Sequence, residues 1–181
     1  MGTGAPGCCQ PTVWEEKFDG APIQGWTISN SAGPAKGWQQ WKTATTAKSP
    51  PGVLYYGDPL TKNYDFGSTN GTALSPKIDV PNTTSAVKLH MWLYYMTEGG
   101  TEGGFDDLYV YVLSAGLPTA KAWSKNSPTK GTGQWIEINY DLAVFKGKSI
   151  QVQFTFHTKD AGYNGGLGVL FDDLGVIRTC P

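Results

Sequence analysis

A chain of 181 residues with net charge −1 and only 16% charged residues has no basic stripe or field suited to nucleic acid or an anionic membrane. It contains no apolar stretch long enough for a transmembrane helix. Aromatics make up 13%, with 7 Trp and 9 Tyr beside 24 Gly and 12 Pro, which suits an all-β chain of short strands and many turns.

Residues 1–12 read as a Gly/Pro linker or leader without the charged and apolar regions of a signal peptide, and residues 13–181 as one domain. Val13 to Phe18 is a first predicted strand, ending at Asp19-Gly20. Gly25 to Ile28, Trp38 to Lys42 and Val53 to Tyr56 follow as short strands. Asp58 to Asn70 is a long loop. Ala73 to Val80 is interrupted by Pro76 and is expected at a sheet edge. Val87, Leu89, Met91, Leu93 and Tyr95 alternate with Lys88, His90 and Trp92 in a long half-buried strand. A Gly-rich loop from Glu98 to Gly104 precedes Phe105-Asp-Asp-Leu108, which opens the strand Tyr109 to Leu113. Trp123 falls on a short strand, Trp135 to Tyr140 forms another, and Asp141 to Lys146 a single helical turn. Ile150, Val152, Phe154 and Phe156 mark a cleanly alternating strand. A second Gly-rich loop, Lys159 to Gly168, leads into Val169 to Ile177, apolar on both faces and therefore central. About ten such strands predict a two-sheet antiparallel β-sandwich of the jelly-roll type.

The Phe-Asp-Asp-Leu tetrapeptide recurs at Phe171 to Leu174. Strict alternation puts Asp106 on the face of Leu108, Val110 and Val112, and Asp172 on that of Leu174 and Val176. A carboxylate on an apolar face must stay at the solvent rim, gather hydrogen bonds or bind a cation. Calcium, which takes carboxylate and carbonyl oxygens from loops, is the natural ion. No spacing matches an EF-hand.

Catalysis has little to rest on. His90 and His157 lie on polar strand faces, neither with a partner His at metal-ligand spacing, no Gly-x-Ser-x-Gly elbow occurs, and the acid pairs open strands beside loops rather than lining a groove. The chain is therefore read as a non-enzyme, with a glycoside-active enzyme the disfavoured alternative. Sugar binding is the expected alternative to chemistry: Trp38 and Trp41 in one cluster, and Tyr163 with Asn164 in a Gly-rich loop, could stack on a pyranose and bond its hydroxyls. Cys180 is expected to pair with Cys8 or Cys9, closing the ends in an oxidising compartment.

The ordered set Trp14-Glu-Glu-Lys-Phe-Asp-Gly, Gly25-Trp26-Thr, Gly37-Trp38, Ala73-Leu-Ser-Pro, Phe105-Asp-Asp-Leu, Gly133-Gln-Trp135, the Phe154 strand and Phe171-Asp-Asp-Leu resembles the MAM-like jelly-roll domains of secreted bacterial proteins. These include the cleaved-adhesin domains of gingipain-type proteases and C-terminal domains of immune-inhibitor-A-type metallopeptidases. The resemblance runs from about residue 13 to 179 and implies an extracellular accessory module, often calcium-bound. It further implies that Glu16 (or Glu15 or Asp19) meets Asp172 or Asp173, and that Glu98 lies near Asp106. The terminal cysteines and the Asp58 to Asn70 loop depart from it. The expected function is a calcium-stabilised binding or adhesion module within a larger secreted or cell-surface protein, recognising a glycan or a protein surface. The alternative is a purely structural accessory domain of a secreted hydrolase.

Overall fold

The computed structural model describes residues 12–20, 22–99, 105–125 and 133–179. The three cysteines, and with them the predicted disulfide, lie outside the described residues, as does most of the predicted leader. Twelve strands are present among the described residues: β1 (Thr12–Glu16), β2 (Thr27–Asn30), β3 (Gly37–Trp41), β4 (Val53–Gly57), β5 (Asn70–Leu74), β6 (Ile78–Asp79), β7 (Val87–Met96), β8 (Asp107–Leu113), β9 (Ala120–Ser124), β10 (Ile136–Asp141), β11 (Ser149–His157) and β12 (Gly168–Arg178). A single 3-10 turn, Ala143–Phe145, sits where a helical turn was expected.

The strands form two antiparallel six-stranded sheets, a β-sandwich. The first runs β10-β7-β12-β4-β3, with β1 also on β12; the second runs β2-β5-β11-β8-β9, with β6 also on β11. The alternating strands behave as their patterns require. Val87, Leu89, Met91, Leu93 and Tyr95 of β7 face the core, as do Ile150, Val152, Phe154 and Phe156 of β11. β12 is central, between β7 on one side and β4 and β1 on the other. Pro76 does not demote the whole Ala73 to Val80 segment to an edge. It falls in the break between β5, which is interior between β2 and β11, and the two-residue β6.

The inner core is aromatic at its centre. Phe154 and Phe171 meet across the sheets at 4.3 Å, and Trp38 packs on Tyr56, Phe154 and Phe171 at 5.3, 6.1 and 6.0 Å. Each such pair adds about 0.5–1.5 kcal/mol beyond the burial of its area. The Trp38 indole N–H donates to Gly71 O at 3.1 Å, so the buried nitrogen is satisfied. A side chain at Gly71 would strike Asn30, Tyr56 and Trp38, so only glycine admits this packing.

A second, smaller apolar cluster lies on the outer face of the first sheet. Trp41, Val53, Tyr55 and Leu170 are covered there by Ala44 and Ala47 of the segment 42–52, with Trp135 packed alongside. The Trp135 indole N–H donates to Thr46 O at 3.0 Å, and the Lys48 ammonium lies 3.8 Å from the Trp92 ring centroid. The segment is thus fastened along its length, and the carboxylates of β12 complete the fastening.

Candidate functional site

The two copies of the tetrapeptide meet their strands at different points. Phe105 lies ahead of β8 and is 47% exposed, whereas Phe171 lies inside β12 and is fully buried. In the first copy the left-handed residue is Asp106, φ 53°; in the second it is Asp173, φ 46°. Asp tolerates this conformation better than most residues because its short side chain bonds locally. In β12 the result is a bulge, with the register against β7 slipping between Asp172 and Gly175.

That bulge corrects the predicted face of Asp172. Val169, Phe171, Leu174 and Val176 all enter the inner core, a step of three between Phe171 and Leu174. Asp172 is therefore on the outer face with Leu170, not with Leu174 and Val176. It sits under the segment 42–52, fully buried. Asp172 Oδ2 accepts from Ser49 N at 2.8 Å, and Oδ1 accepts from Asp173 N at 2.8 Å and Ser49 Oγ at 3.3 Å. Ser49 Oγ is also 2.7 Å from Asp173 Oδ1. Burial holds the Asp172 carboxyl up at about 6, partly offset by the backbone donors. Both Asp172 oxygens have partners within the chain, so Asp172 anchors the segment 42–52. Glu16 is paired in register with Leu174, next to Asp173, but its Oε1 accepts from Phe18 N at 2.8 Å. Asp19 Oδ1 likewise accepts from Gly52 N at 2.9 Å.

The first pair is built differently. Asp106 is fully buried where loops converge at one end of the sandwich. Asp106 Oδ2 accepts from the Tyr64 hydroxyl at 2.6 Å and from Glu98 N at 2.7 Å. Glu98 is thereby brought to Asp106, as the resemblance implied. Tyr64, fully buried in the segment between β4 and β5, has its phenol pushed up by burial and by Asp106. It stays a protonated donor, and its oxygen lies 3.4 Å from Tyr163 O of the loop before β12. Asp107 opens β8 and pairs with Lys159 Nζ at 2.7 Å.

Lys125, just after β9, points its ammonium at main-chain oxygens. It donates to Phe105 O at 3.2 Å, to Asp106 O at 3.0 Å and to Glu98 O. Burial depresses its basicity, against the pull of Asp106, Asp107 and Glu98. Burial also raises the Asp106 carboxyl, which Tyr64, Glu98 N and Lys125 counter and Asp160 reinforces. Glu98 is raised by burial and then by Asp160 and Asp106.

Three oxygens here remain buried without a hydrogen-bond partner among the described residues: Asp106 Oδ1, Glu98 Oε2 and Asn164 Oδ1. A buried, unpartnered carboxylate oxygen is costly and asks for an explanation. Carboxylate and amide oxygens are the donors that calcium takes, whereas both Asp172 oxygens are already occupied within the chain. Among the described residues no three Asp, Glu, His or Cys side chains converge as a metal cluster, so any ion would lean on carbonyl and amide oxygens as well.

The predicted sugar-stacking residues divide sharply. Trp38 is fully buried and Trp41 6% exposed, so neither offers a ring face to a ligand. Three residues apart on β3, they point to opposite faces: Trp38 into the inner core and Trp41 under the segment 42–52. Asn164 is 1% exposed and spends its amide N–H groups on Gly67 O and Asp160 O. Only Tyr163, 87% exposed, presents an aromatic surface.

A more extended polar and aromatic surface lies on the outer face of the second sheet. Ser29, Thr72, Thr155, Tyr109 and Ser124 stand in one cross-strand row, and Thr27, Leu74, Gln153, Tyr111 and Lys121 in the next. The Tyr109 and Tyr111 rings are half-buried, 5.6 Å apart and nearly parallel at 21°. Their partners in β11 are Thr155 and Gln153, which bond each other at 3.1 Å.

Tyr64, Lys125 and Ser49 were not anticipated. Nothing in their local sequence marks them, since each acts on a group 19 or more positions away.

No family model matches the chain. Over 151 residues, 82% of its length, it is 30% identical to Bacillopeptidase F of Bacillus subtilis (strain 168), and it spans about a tenth of the length of that protein. Among solved structures it is similar to a cleaved adhesin domain of Lys-gingipain from Porphyromonas gingivalis, at 17% identity and TM-score 0.57, covering 92% of this chain and 98% of that one. It is also similar to the xylan-binding domain of Xyn10C from Paenibacillus barcinonensis, at 9% identity and TM-score 0.51, covering 94% and 96%. The chain thus has the two-sheet β-sandwich fold of a cleaved adhesin domain, the fold that its sequence resemblance implied.

Proposed function

We propose that the chain is a non-catalytic, calcium-stabilised extracellular binding module of a larger secreted protein, and that its ligand is a glycan. The observation that carries the glycan reading is the double row on the outer face of the second sheet. A pyranose presents an apolar C–H face ringed by hydroxyls. Tyr109 and Tyr111 supply two rings of shared orientation, and Thr155, Gln153, Thr72 and Ser29 supply hydroxyl and amide groups across the neighbouring strands. Xylan binding by one structural neighbour and the adhesin fold of another support the same class of role. Similarity to one tenth of a Bacillopeptidase F supports a domain carried by a larger secreted enzyme.

Calcium would be held by Asp106 and Glu98 with Asn164, each of which has a buried oxygen without a partner among the described residues. Its contribution is to neutralise carboxylates that burial otherwise disfavours, and so to tie the loops at that end of the sandwich. In an oxidising compartment Cys180 would bond to Cys8 or Cys9, checked by peptide mapping without reduction.

Polysaccharide pull-down and calorimetry against xylan and other plant or bacterial glycans test the ligand. Tyr109→Ala and Tyr111→Ala should each weaken binding about tenfold or more while the fold persists. Loss with Tyr163→Ala alone would move the ligand to the loop end. Absence of binding to any glycan would favour the structural accessory role.

A further inference from the structure

The two tyrosines on the outer face of the second sheet fix a direction for a ligand. Tyr109 and Tyr111 stand two residues apart on one strand, with ring centroids 5.6 Å apart and planes 21° from parallel. A stiff chain of sugar rings that covers both must run along β8, since one laid across the strands would meet a single tyrosine. In one direction that line passes Asp107, whose carboxylate is paired with Lys159 Nζ at 2.7 Å. In the other it reaches Leu113, the next residue of β8 on the same face, beside Gln151 of β11.

Leu113 and Gln151 border a pocket of about 240 Å³, walled also by Ser114, Leu117, Thr119 and Lys77. β8 ends at Leu113 and the chain turns there, with Leu117 N donating to Ser114 O at 3.2 Å. Ser114 Oγ donates to Ser149 O at 2.9 Å and Leu117 packs on the inner core, so the turn is held to the body of the sandwich. A chain lying on the tyrosines and running toward Leu113 therefore meets a fixed wall with a pocket in front of it. The volume falls below the range of about 300–1,000 Å³ for drug-sized ligands, and suits a single sugar ring. Hydroxyl, amide and ammonium groups stand there beside two leucines, the mixture that a pyranose with its apolar face and its hydroxyls requires. The charge of Lys77 is offset by Asp79, two residues on, which accepts from Ser149 Oγ.

We infer that this pocket is a terminal subsite: the glycan lies along β8, its last ring occupies the pocket, and that ring is uncharged. The module then recognises chain ends and not chain interiors. The inference rests on the glycan reading above and specifies its ligand.

Calorimetric titration with xylohexaose, laminarihexaose and hexagalacturonate, and with soluble xylan and laminarin, tests it. The proteins are wild type, Tyr111→Ala, and Ala115→Trp and Thr119→Trp, which fill the pocket from exposed positions. A neutral hexaose that wild type binds should lose about tenfold or more in affinity in both pocket variants, with melting temperatures unchanged. Its polysaccharide should take one module per chain, with the affinity of the hexaose. Full affinity in both pocket variants beside loss in Tyr111→Ala, or several modules per polysaccharide chain, would overturn the inference and leave glycan binding on the tyrosines in place. Hexagalacturonate binding more tightly than either neutral hexaose would overturn the assignment of an uncharged ring. Failure of wild type to bind any of these probes would overturn this inference and the glycan reading together.

Discussion

The same four residues, Phe-Asp-Asp-Leu, occur at two places in this sandwich and do opposite work. At 171–174 the Phe is in the central core, a bulge turns Asp172 to the outer face, and every Asp172 oxygen is taken by Ser49 or Asp173. At 105–108 the Phe is half exposed, the bend falls one residue earlier in the motif, and Asp106 has one satisfied oxygen and one without a partner among the described residues. The difference lies in what each strand meets. β12 changes neighbours from β4 to β1 at the bulge, and its carboxylates fasten the segment that covers the gap. β8 begins where loops converge, and its carboxylate faces other acids and a lysine. A local motif sets which residues can bend and carry charge; the surrounding chain sets whether that charge finds its partners within the described residues.

The contrast can be broken most forcefully at the aromatic positions. Phe171→Ala should cost about 3–5 kcal/mol, because it empties the centre of the core, while Phe105→Ala should fall within about 0.5 kcal/mol of wild type. Denaturant unfolding of both variants checks this; equal effects would mean the copies are equivalent after all. Next comes Tyr64→Phe, which removes the donor to Asp106 Oδ2 and should cost about 1.5–3 kcal/mol, the range for a hydrogen bond to a charged group. That loss should shrink in calcium, if the ion takes over the neutralisation of Asp106. Ser49→Ala, at the other copy, leaves Ser49 N on Asp172 and should cost only about 1 kcal/mol, whether or not calcium is present.

The smallest expected effect is in the pH dependence. Asp172 is held up at about 6 from an ordinary 3.8, so between those values the folded state binds the proton more readily than the unfolded chain. Its contribution to stability is then complete below about 3.8 and is lost as pH rises through about 6. Melting curves across that window should show a slope that Asp172→Asn flattens. An unchanged slope would place the titrating group elsewhere.

Much of this architecture was legible in the chain. β7 and β11 announced themselves by strict alternation, and β12 by apolar residues on both faces, because burial on one or two sides of a sheet leaves a period in the sequence. The bulge at Asp173 left no such trace. One extra residue within an apolar run shifts every later side chain, yet nothing in composition signals it, so Asp172 was assigned the wrong face. Trp38 and Trp41 look alike in sequence as a Trp-Gln-Gln-Trp cluster. Only the pairing of β3 with β4 and the cover from 42–52 show that both are packed. Tyr64, Lys125 and Ser49 act across long separations, and a partner found by folding cannot be read from its own neighbourhood.

The claim at the centre is that the first acid pair is an ion site and the second a loop anchor. Calorimetric titration with calcium of Asp106→Asn and Asp172→Asn, each shown to be folded by circular dichroism, tests it directly. Asp106→Asn should abolish binding, and Asp172→Asn should leave it within about a factor of three of wild type. Calcium binding that survives Asp106→Asn, or that disappears with Asp172→Asn, would contradict the account.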